Sequence, residues 1–315
     1  MKLLLFILVF YTLNLSAEML SRTKVLMGTF ATLSLEPQDK QHFKGVFETL
    51  AEVENALSSY KQSSPIYKLN EEKNTTLLPY SYEALSLSKN YYKQTSGYFN
   101  IAIGSVTKDL YKFGEDESLP SKKALQESEV SFRSLAFDMQ NARIANNVKI
   151  DLGGMGKGFG VDKAMMILKR QGVTKAVLAL SGDIRCFGSC TIEIQNPFEE
   201  KALAVFETKK EEMGISTSGN YNRYVKSKEN NHLINPKTKE SQRSFASITL
   251  ISELPNSDLD AYATAASVMP RERAYSFLES LDLAYVVIEI DKNIVISKNI
   301  EKFVEYLTFY NGAKE

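Results

Sequence analysis

Residues Val148–Gly188 read VKIDLGGMGKGFGVDKAMMILKRQGVTKAVLALSGDIRCFG, and the rest of the chain is interpreted outward from them. A short strand is predicted over Val148–Asp151, followed by a turn with five glycines between positions 153 and 160. Val161, Ala164, Met165 and Leu168 then repeat at the i, i+3, i+4, i+7 spacing of a buried helix face. Gly172 stands where a glycine ends such a helix, and a second strand is predicted over Ala176–Leu180, leading into Ser181–Gly182–Asp183. Glycines at a strand-to-helix junction let backbone N–H groups approach a ligand, and the helix N-terminus favours negative charge, so phosphate is the natural guest. Asp151 before the turn and Lys157 within it add one charge of each sign. Lys157 is followed by Gly158 rather than Ser or Thr, so this is no Walker loop, and it matches the dinucleotide fingerprint only loosely. From the glycines alone, a tight turn without a ligand is the alternative.

The 315 residues are 43% hydrophobic and 24% charged with a formal net charge of +0, an ordinary globular composition with room for one large domain or two lobes. That balance provides no electrostatic footprint for nucleic acid or an anionic membrane surface. Met1–Ala17 (MKLLLFILVFYTLNLSA) has one Lys, an apolar run from Leu3 to about Leu13 and small residues at its end. It is short for a bilayer span and built like a secretory signal cleaved after Ala17, with an uncleaved anchor as the alternative. Residues 1–17 are therefore expected to be a leader and 18–315 the mature domain. That domain is expected to be exported and periplasmic, soluble or loosely membrane-associated, without a stable membrane span. The two cysteines, Cys186 and Cys190, are spaced for a short hairpin, where an oxidising compartment permits a disulfide; two free thiols are the alternative.

Elsewhere, Thr23–Glu36 alternates like a strand interrupted at Met27–Gly28–Thr29, and Gln41–Ser59 carries Phe43, Val46, Phe47, Leu50, Val53 and Leu57 on a helical face. Ser81–Thr95 is a second predicted helix, Lys108–Leu135 an exposed connection, and Phe137–Ile150 a hairpin turning at Asn146–Asn147. Further strands are expected at Thr191–Asn196, Ala202–Thr208, Ile248–Ile251, Ala284–Ile290 and Ile294–Ser297, with a helix over Glu272–Leu281 and an apolar final segment, Phe303–Tyr310. Another helix is expected to begin at Ser257, its candidate N-cap. On it, Asp260 and Thr264 form an i, i+4 pair, which places a carboxylate and a hydroxyl on one face, both hard oxygen ligands suited to magnesium. An Asp that only complements the helix dipole is the alternative. Of the two histidines, His42 sits at a solvent-type helix start, which leaves His232 as the imidazole suited to chemistry.

The run D-L-G-G-x-G-K-G-x-x-x-D over Asp151–Asp162, with S-G-D-I-R at Ser181–Arg185, resembles the signature of the ApbE family, the magnesium-using FAD:protein FMN transferases. Other segments fall in the family's order: Met27–Gly28–Thr29, Ser59–Tyr60–Lys61 with Ser64–Asn70, Gly97–Asn100, Ile215–Tyr224, Asn231–Thr238 and Asp260–Thr264. Asn100 and Asn235 stand where the family has Asp, and Lys239 where it closes on Gly. The resemblance implies an α+β, T-fold-like architecture of mixed and antiparallel sheets with helices, and an active-site cleft between lobes. It implies that Met27, Tyr60, Tyr98, Phe99, Asn100, Asp151, Lys157 and Ile234 line FAD. Magnesium would be held by Asp260, Thr264 and the backbone carbonyl of Gly154, with His232 as the base or as a stabiliser of the transferred phosphoryl group. The implied reaction moves FMN from FAD to a Thr or Ser hydroxyl of an acceptor flavoprotein, releasing AMP, and the implied partner is a subunit of a respiratory redox complex. An FAD pyrophosphatase and a non-catalytic exported flavin-binding protein are the other readings.

Overall fold

The computed structural model describes residues 18–310, so the predicted leader lies outside the described residues. In chain order the elements are strands β1 (Leu20–Leu26) and β2 (Thr29–Leu35), helices α1 (Phe43–Leu57) and α2 (Pro65–Glu72), β3 (Asn74–Thr76), α3 (Pro79–Gln94), α4 (Gly104–Thr107), α5 (Lys122–Glu127), β4 (Leu135–Phe137) and β5 (Asn141–Ile144). Helix α6 (Gly156–Arg170) follows, then β6 (Ala176–Leu180), β7 (Asp183–Phe187), β8 (Thr191–Gln195), β9 (Ala202–Thr208), β10 (Glu212–Gly219) and β11 (Phe245–Ser252). The chain finishes with α7 (Asn256–Val268), α8 (Arg271–Glu279), β12 (Ala284–Glu289), β13 (Ile294–Ile296) and β14 (Val304–Phe309).

One antiparallel sheet runs β1-β2-β6-β7-β10-β11-β12-β13, accompanied by two three-stranded sheets, β14-β9-β8 and β3-β5-β4. Alternation along the strands divides the large sheet between two cores. Leu33, Leu35, Leu178 and Leu180 face Val46, Leu50, Val161 and Leu168 of α1 and α6. Met213, Ile215, Val286 and Ile288 face the opposite way, toward Ile192, Ala204 and Phe206 of the small sheet. The helix layer therefore lies on the face from which Asp183 and Arg185 of β7 project, and that shared face positions the site.

Two features hold α6 and α7 together. A methyl group on Gly158 would lie 2.2 Å from the Asn256 carbonyl oxygen, so glycine is required for the N-terminal turns to approach this closely. Asp162 of α6 then accepts the N–H groups of Asn256 (2.8 Å) and Ser257 (2.9 Å). The cap of α7 thus comes from another helix, and the expected N-cap Ser257 is instead the second helical residue, after Pro255. The helix over Val161–Leu168 forms as predicted, and Gly172 has the positive φ of 73° that suits a helix end.

Three local expectations are corrected. Val148–Asp151 forms no strand, because its backbone partner is a side chain: Asn70 accepts the Ile150 N–H (2.7 Å) and donates to the Ile150 carbonyl (2.8 Å). The hairpin before it is β4–β5, turning at Asp138, whose carboxylate accepts the N–H groups of Gln140 and Asn141, rather than at Asn146–Asn147. The stretch Lys108–Leu135 is not uniformly exposed, since Tyr111, Phe113 and Phe132 are buried. Met27 and Gly28 both take positive φ and close the β1–β2 hairpin, so the predicted interruption is a two-residue turn.

Cys186 and Cys190 form a disulfide at a sequence separation of 4, linking the large sheet to β8. The closed loop is short, so the chain-entropy estimate of its contribution is only about 2 kcal/mol. A Cys186→Ala/Cys190→Ala double variant is expected to lose about that much in urea unfolding. Unchanged stability would show that the bridge does not constrain the unfolded chain. Among the described residues, no helix is long and apolar enough to cross a membrane.

Candidate active site

The first turn of α6 presents Lys157 to two buried carboxylates. Its Nζ lies 2.8 Å from Asp183 Oδ2 and 3.5 Å from Asp260 Oδ2, and these Asp side chains are 1% and 4% exposed. Ser216 of β10 donates to Asp183 Oδ1 (2.6 Å), and the Gly158 N–H donates to Asp260 Oδ2 (3.2 Å). Burial pushes the Asp260 carboxyl up, and the adjacent Asp183 adds to this against Lys157 and the Gly158 N–H. Burial alone lowers an ammonium, yet Asp183 and Asp260 outweigh it and hold Lys157 firmly protonated. Two buried carboxyl groups thus share one cation in an oxygen-rich setting.

One helical turn beyond Asp260, Thr264 meets the glycine turn. A methyl on Gly154 would stand 2.9 Å from Thr264 Cγ2 and 3.1 Å from Oγ1, with Phe99 at 3.4 Å. Three sequence-predicted positions, Gly154, Asp260 and Thr264, are therefore brought to one place. Their donor set of carboxylate, hydroxyl and peptide carbonyl, beside the second carboxylate of Asp183, suits a small hard divalent cation. Among the described residues, no three His, Cys, Asp or Glu side chains cluster as a metal site, so side-chain ligands there are limited to this pair and the hydroxyl.

Asp151, at the entrance to the turn, accepts from Thr107 Oγ1 (2.8 Å) and the Gly153 N–H (2.9 Å). Burial raises its carboxyl, but Lys108, Arg223, that N–H and the Thr107 hydroxyl together hold it below the usual range. Arg223 donates to Tyr60 Oη (2.8 Å) and to the Phe113 carbonyl (2.7 Å), and Lys108 Nζ sits 3.3 Å from the Tyr60 ring centre.

His232 lies at the base of a loop bridged at Tyr224 and Asn231. Its Nδ1 is 3.1 Å from the Arg223 carbonyl oxygen. A carbonyl only accepts, so Nδ1 carries the proton and Nε2 keeps a lone pair. Burial first, then the Arg223 guanidinium and Lys157, bring its pKa down to about 4, against the opposing influence of Asp151. At neutral pH the ring is a neutral base.

The remaining predicted positions make contacts of their own. Met27 packs on α6, where a methyl on Gly160 would lie 2.7 Å from its sulphur. Tyr60 is on the rim and 44% exposed. Tyr98, Phe99 and Ile234 are buried, Tyr98 with Lys237 Nζ 3.9 Å from its ring centre and Ile234 among Val106, Tyr111, Phe113 and Val225. Asn100 caps the following turn through Oδ1, accepting the Ala102 N–H (3.0 Å), a role an aspartate fills equally. Asn235 differs: it accepts the Lys237 N–H (2.9 Å) and donates to the carbonyl of Val268, the last residue of α7 (2.8 Å). Asn235→Asp replaces that donor with a carboxylate facing the negative end of a helix. It is expected to cost about 1–3 kcal/mol in urea unfolding, and a stabilised variant would refute this account of the asparagine.

Sequence reasoning missed Asp183, Ser216, Thr107, Lys108 and Arg223 as site residues. Asp183, Ser216 and Arg223 sit inside quoted segments, Ser181–Arg185 and Ile215–Tyr224, so the signal was present without a role attached.

The ApbE family model matches residues 27–287 of the chain. An FAD:protein FMN transferase of Buchnera aphidicola subsp. Schizaphis graminum is 28% identical over 234 residues, covering 67% of this chain and 68% of that one. The Klebsiella pneumoniae FAD:protein FMN transferase is 23% identical over 290 residues, covering 88% and 91%. Among solved structures, the ApbE protein of Thermotoga maritima matches with a TM-score of 0.83 at 20% identity, over 92% of this chain and 100% of that one. The flavin transferase ApbE of Vibrio cholerae matches at 0.77 and 19% identity, over 91% and 99%. The mixed helices and antiparallel sheets expected from the sequence are the architecture these structures share.

Proposed function

The chain belongs to the ApbE family, and on that premise we propose that it transfers FMN from FAD to a hydroxyl of an acceptor protein, with release of AMP. The feature that supports this reading is a neutral imidazole that senses the charges of Lys157 and Asp151, which flank a glycine-opened helix N-terminus, with Lys157 itself paired to Asp183 and Asp260. The FAD diphosphate lies against the Gly153–Gly158 turn, where the N-terminal end of α6 and the Lys157 ammonium favour anionic oxygens. Asp260, Thr264 and the Gly154 carbonyl hold magnesium, and Asp183 adds negative charge beside them. When bound, the cation neutralises charge on the scissile pyrophosphate and steadies the leaving phosphate of AMP. Met27, Tyr60, the Tyr98–Asn100 turn, Asp151 and Ile234 line the flavin nucleotide.

His232 Nε2 accepts the proton of the acceptor Thr or Ser hydroxyl as its oxygen bonds to the FMN phosphorus. The bond from that phosphorus to the bridging oxygen breaks, and its electron pair leaves with AMP. The product is a phosphoester-linked flavin on the acceptor. We place the protein outside the inner membrane after leader removal, acting on a flavoprotein subunit of a respiratory redox complex.

The test incubates purified protein with FAD and magnesium, with and without a flavoprotein acceptor domain, and reads AMP and in-gel flavin fluorescence together. AMP release that needs the acceptor, with flavin covalently attached to it, is the expected result. AMP release regardless of acceptor makes the protein an FAD pyrophosphatase, and FAD binding without AMP makes it a flavin-binding protein.

A further inference from the structure

Arg223 is the residue that joins the histidine loop to the rest of the site, and nothing in the proposed chemistry gives it a task. Its two ends do different work. The backbone carbonyl accepts both the His232 N–H (3.1 Å) and the ring Nδ1–H (3.1 Å). The side chain reaches the other way: Nη2 donates to Tyr60 Oη and to the Phe113 carbonyl, and the guanidinium carbon lies 5.6 Å from the Phe113 ring centre. Phe113 in turn sets its ring edge-on to His232, with centroids 6.5 Å apart. Tyr60 closes the triangle by donating to the same Phe113 carbonyl (2.9 Å).

We propose that Arg223 is a positioning residue of the transfer reaction, its carbonyl fixing the His232 tautomer and its guanidinium clamping the His232 loop to Tyr60 and Phe113. This inference rests on the transfer reading above. What distinguishes arginine here is its plane, which packs near the Phe113 ring while Nη2 serves the two acceptors; lysine supplies the charge and donors without that plane. The charged groups around the imidazole are Arg223 from its own loop, Lys157 from α6 and Asp151 from the segment before α6. Arg223 and Lys157 oppose a charged ring and Asp151 favours one, so removing the guanidinium leaves a more basic imidazole as well as a looser one.

The chain has only two histidines, so 15N-histidine labelling of the intact protein reads His232 directly, with His42→Gln assigning the second set of resonances. The wild type is expected to show the Nδ1–H tautomer at neutral pH. Arg223→Gln is expected to raise the protonation midpoint of His232 by about one unit or more. It should also lower acceptor-dependent AMP release at saturating FAD by about 100-fold, with a much smaller change in KM for FAD. Arg223→Lys restores the midpoint but not the rate. If Arg223→Gln fails to fold, Tyr60→Phe, which removes one of the guanidinium's two acceptors from an exposed position, is expected to slow release and disturb the tautomer to a lesser degree. Arg223→Gln, or in its place Tyr60→Phe, with an unchanged His232 midpoint and tautomer and a rate within about twofold of wild type overturns the proposal. Failure of the transfer reading itself is distinguishable: the wild type then releases no AMP, while the resonances still report whether Arg223 controls the imidazole.

Discussion

His232→Ala is expected to reduce acceptor-dependent AMP release by about 10²- to 10⁴-fold, the usual contribution of a positioned general base. FAD binding should survive, since the ring is held by Arg223 and Phe113 rather than by the diphosphate-binding turn. The pH dependence follows from the direction of the shift. Burial and the nearby cations lower the imidazole to about 4, so its base form is fully present at neutral pH. Protonation of His232, read from its own 15N resonances, should therefore set in only as the pH falls toward about 4. The rate also senses the Asp260 carboxyl, which burial and Asp183 push up. Stability moves with it. Between that value and the ordinary histidine range near 6.5, the unfolded chain binds a proton that the folded chain refuses. The contribution of His232 to stability is thus complete above the unfolded pKa and is lost as the pH falls toward the folded one. Comparing urea unfolding of wild type and His232→Ala at pH 7.5 and about 5 measures this term. A His232 protonation midpoint at the unperturbed histidine value would show that the ring is not desolvated, and retained transfer in His232→Ala would remove it as the base.

Asp260→Asn is expected to lower FAD turnover by about three orders of magnitude, consistent with the several kcal/mol that a bound cation supplies. Its effect on the metal-free fold runs in the opposite direction. Burial and Asp183 both disfavour the Asp260 carboxylate, so its charge costs stability at neutral pH. The amide oxygen still accepts the Gly158 N–H, and Lys157 keeps Asp183 at 2.8 Å. Melting temperature without magnesium should therefore stay level or rise, while the stabilisation that magnesium gives the wild type disappears. A variant that melts lower without metal and still responds to magnesium contradicts the assignment. Loss of activity with a general loss of stability is what a merely structural aspartate would give.

Much of the site was legible because its parts are local. The spacing Val161–Leu168 defines a helix face whatever follows it, and Asp260 and Thr264 share a face because four residues make about one turn. The glycines after Asp151 announced a close approach, although not what approaches: at Gly158 it is the Asn256 carbonyl of α7. The departures at Asn100 and Asn235 looked alike in sequence and differ in space, one acting as an ordinary cap and the other donating to Val268.

The sequence by itself determined the five longest helices but not α2, α4 or α5, most strands of the large sheet, the i, i+4 oxygen pair and the family resemblance. Each of these is written in spacings of a few residues, where backbone geometry fixes side-chain direction. Only the tertiary structure decided that Asp183 shares Lys157 with Asp260, that Asp162 caps α7, that Asn70 replaces a strand partner for Ile150, and that Arg223 ties His232 to Tyr60. Those contacts join residues far apart in the chain. They exist because packing the helices on one face of the sheet buries their polar groups, and a buried donor or acceptor without a partner costs more than most single contacts return.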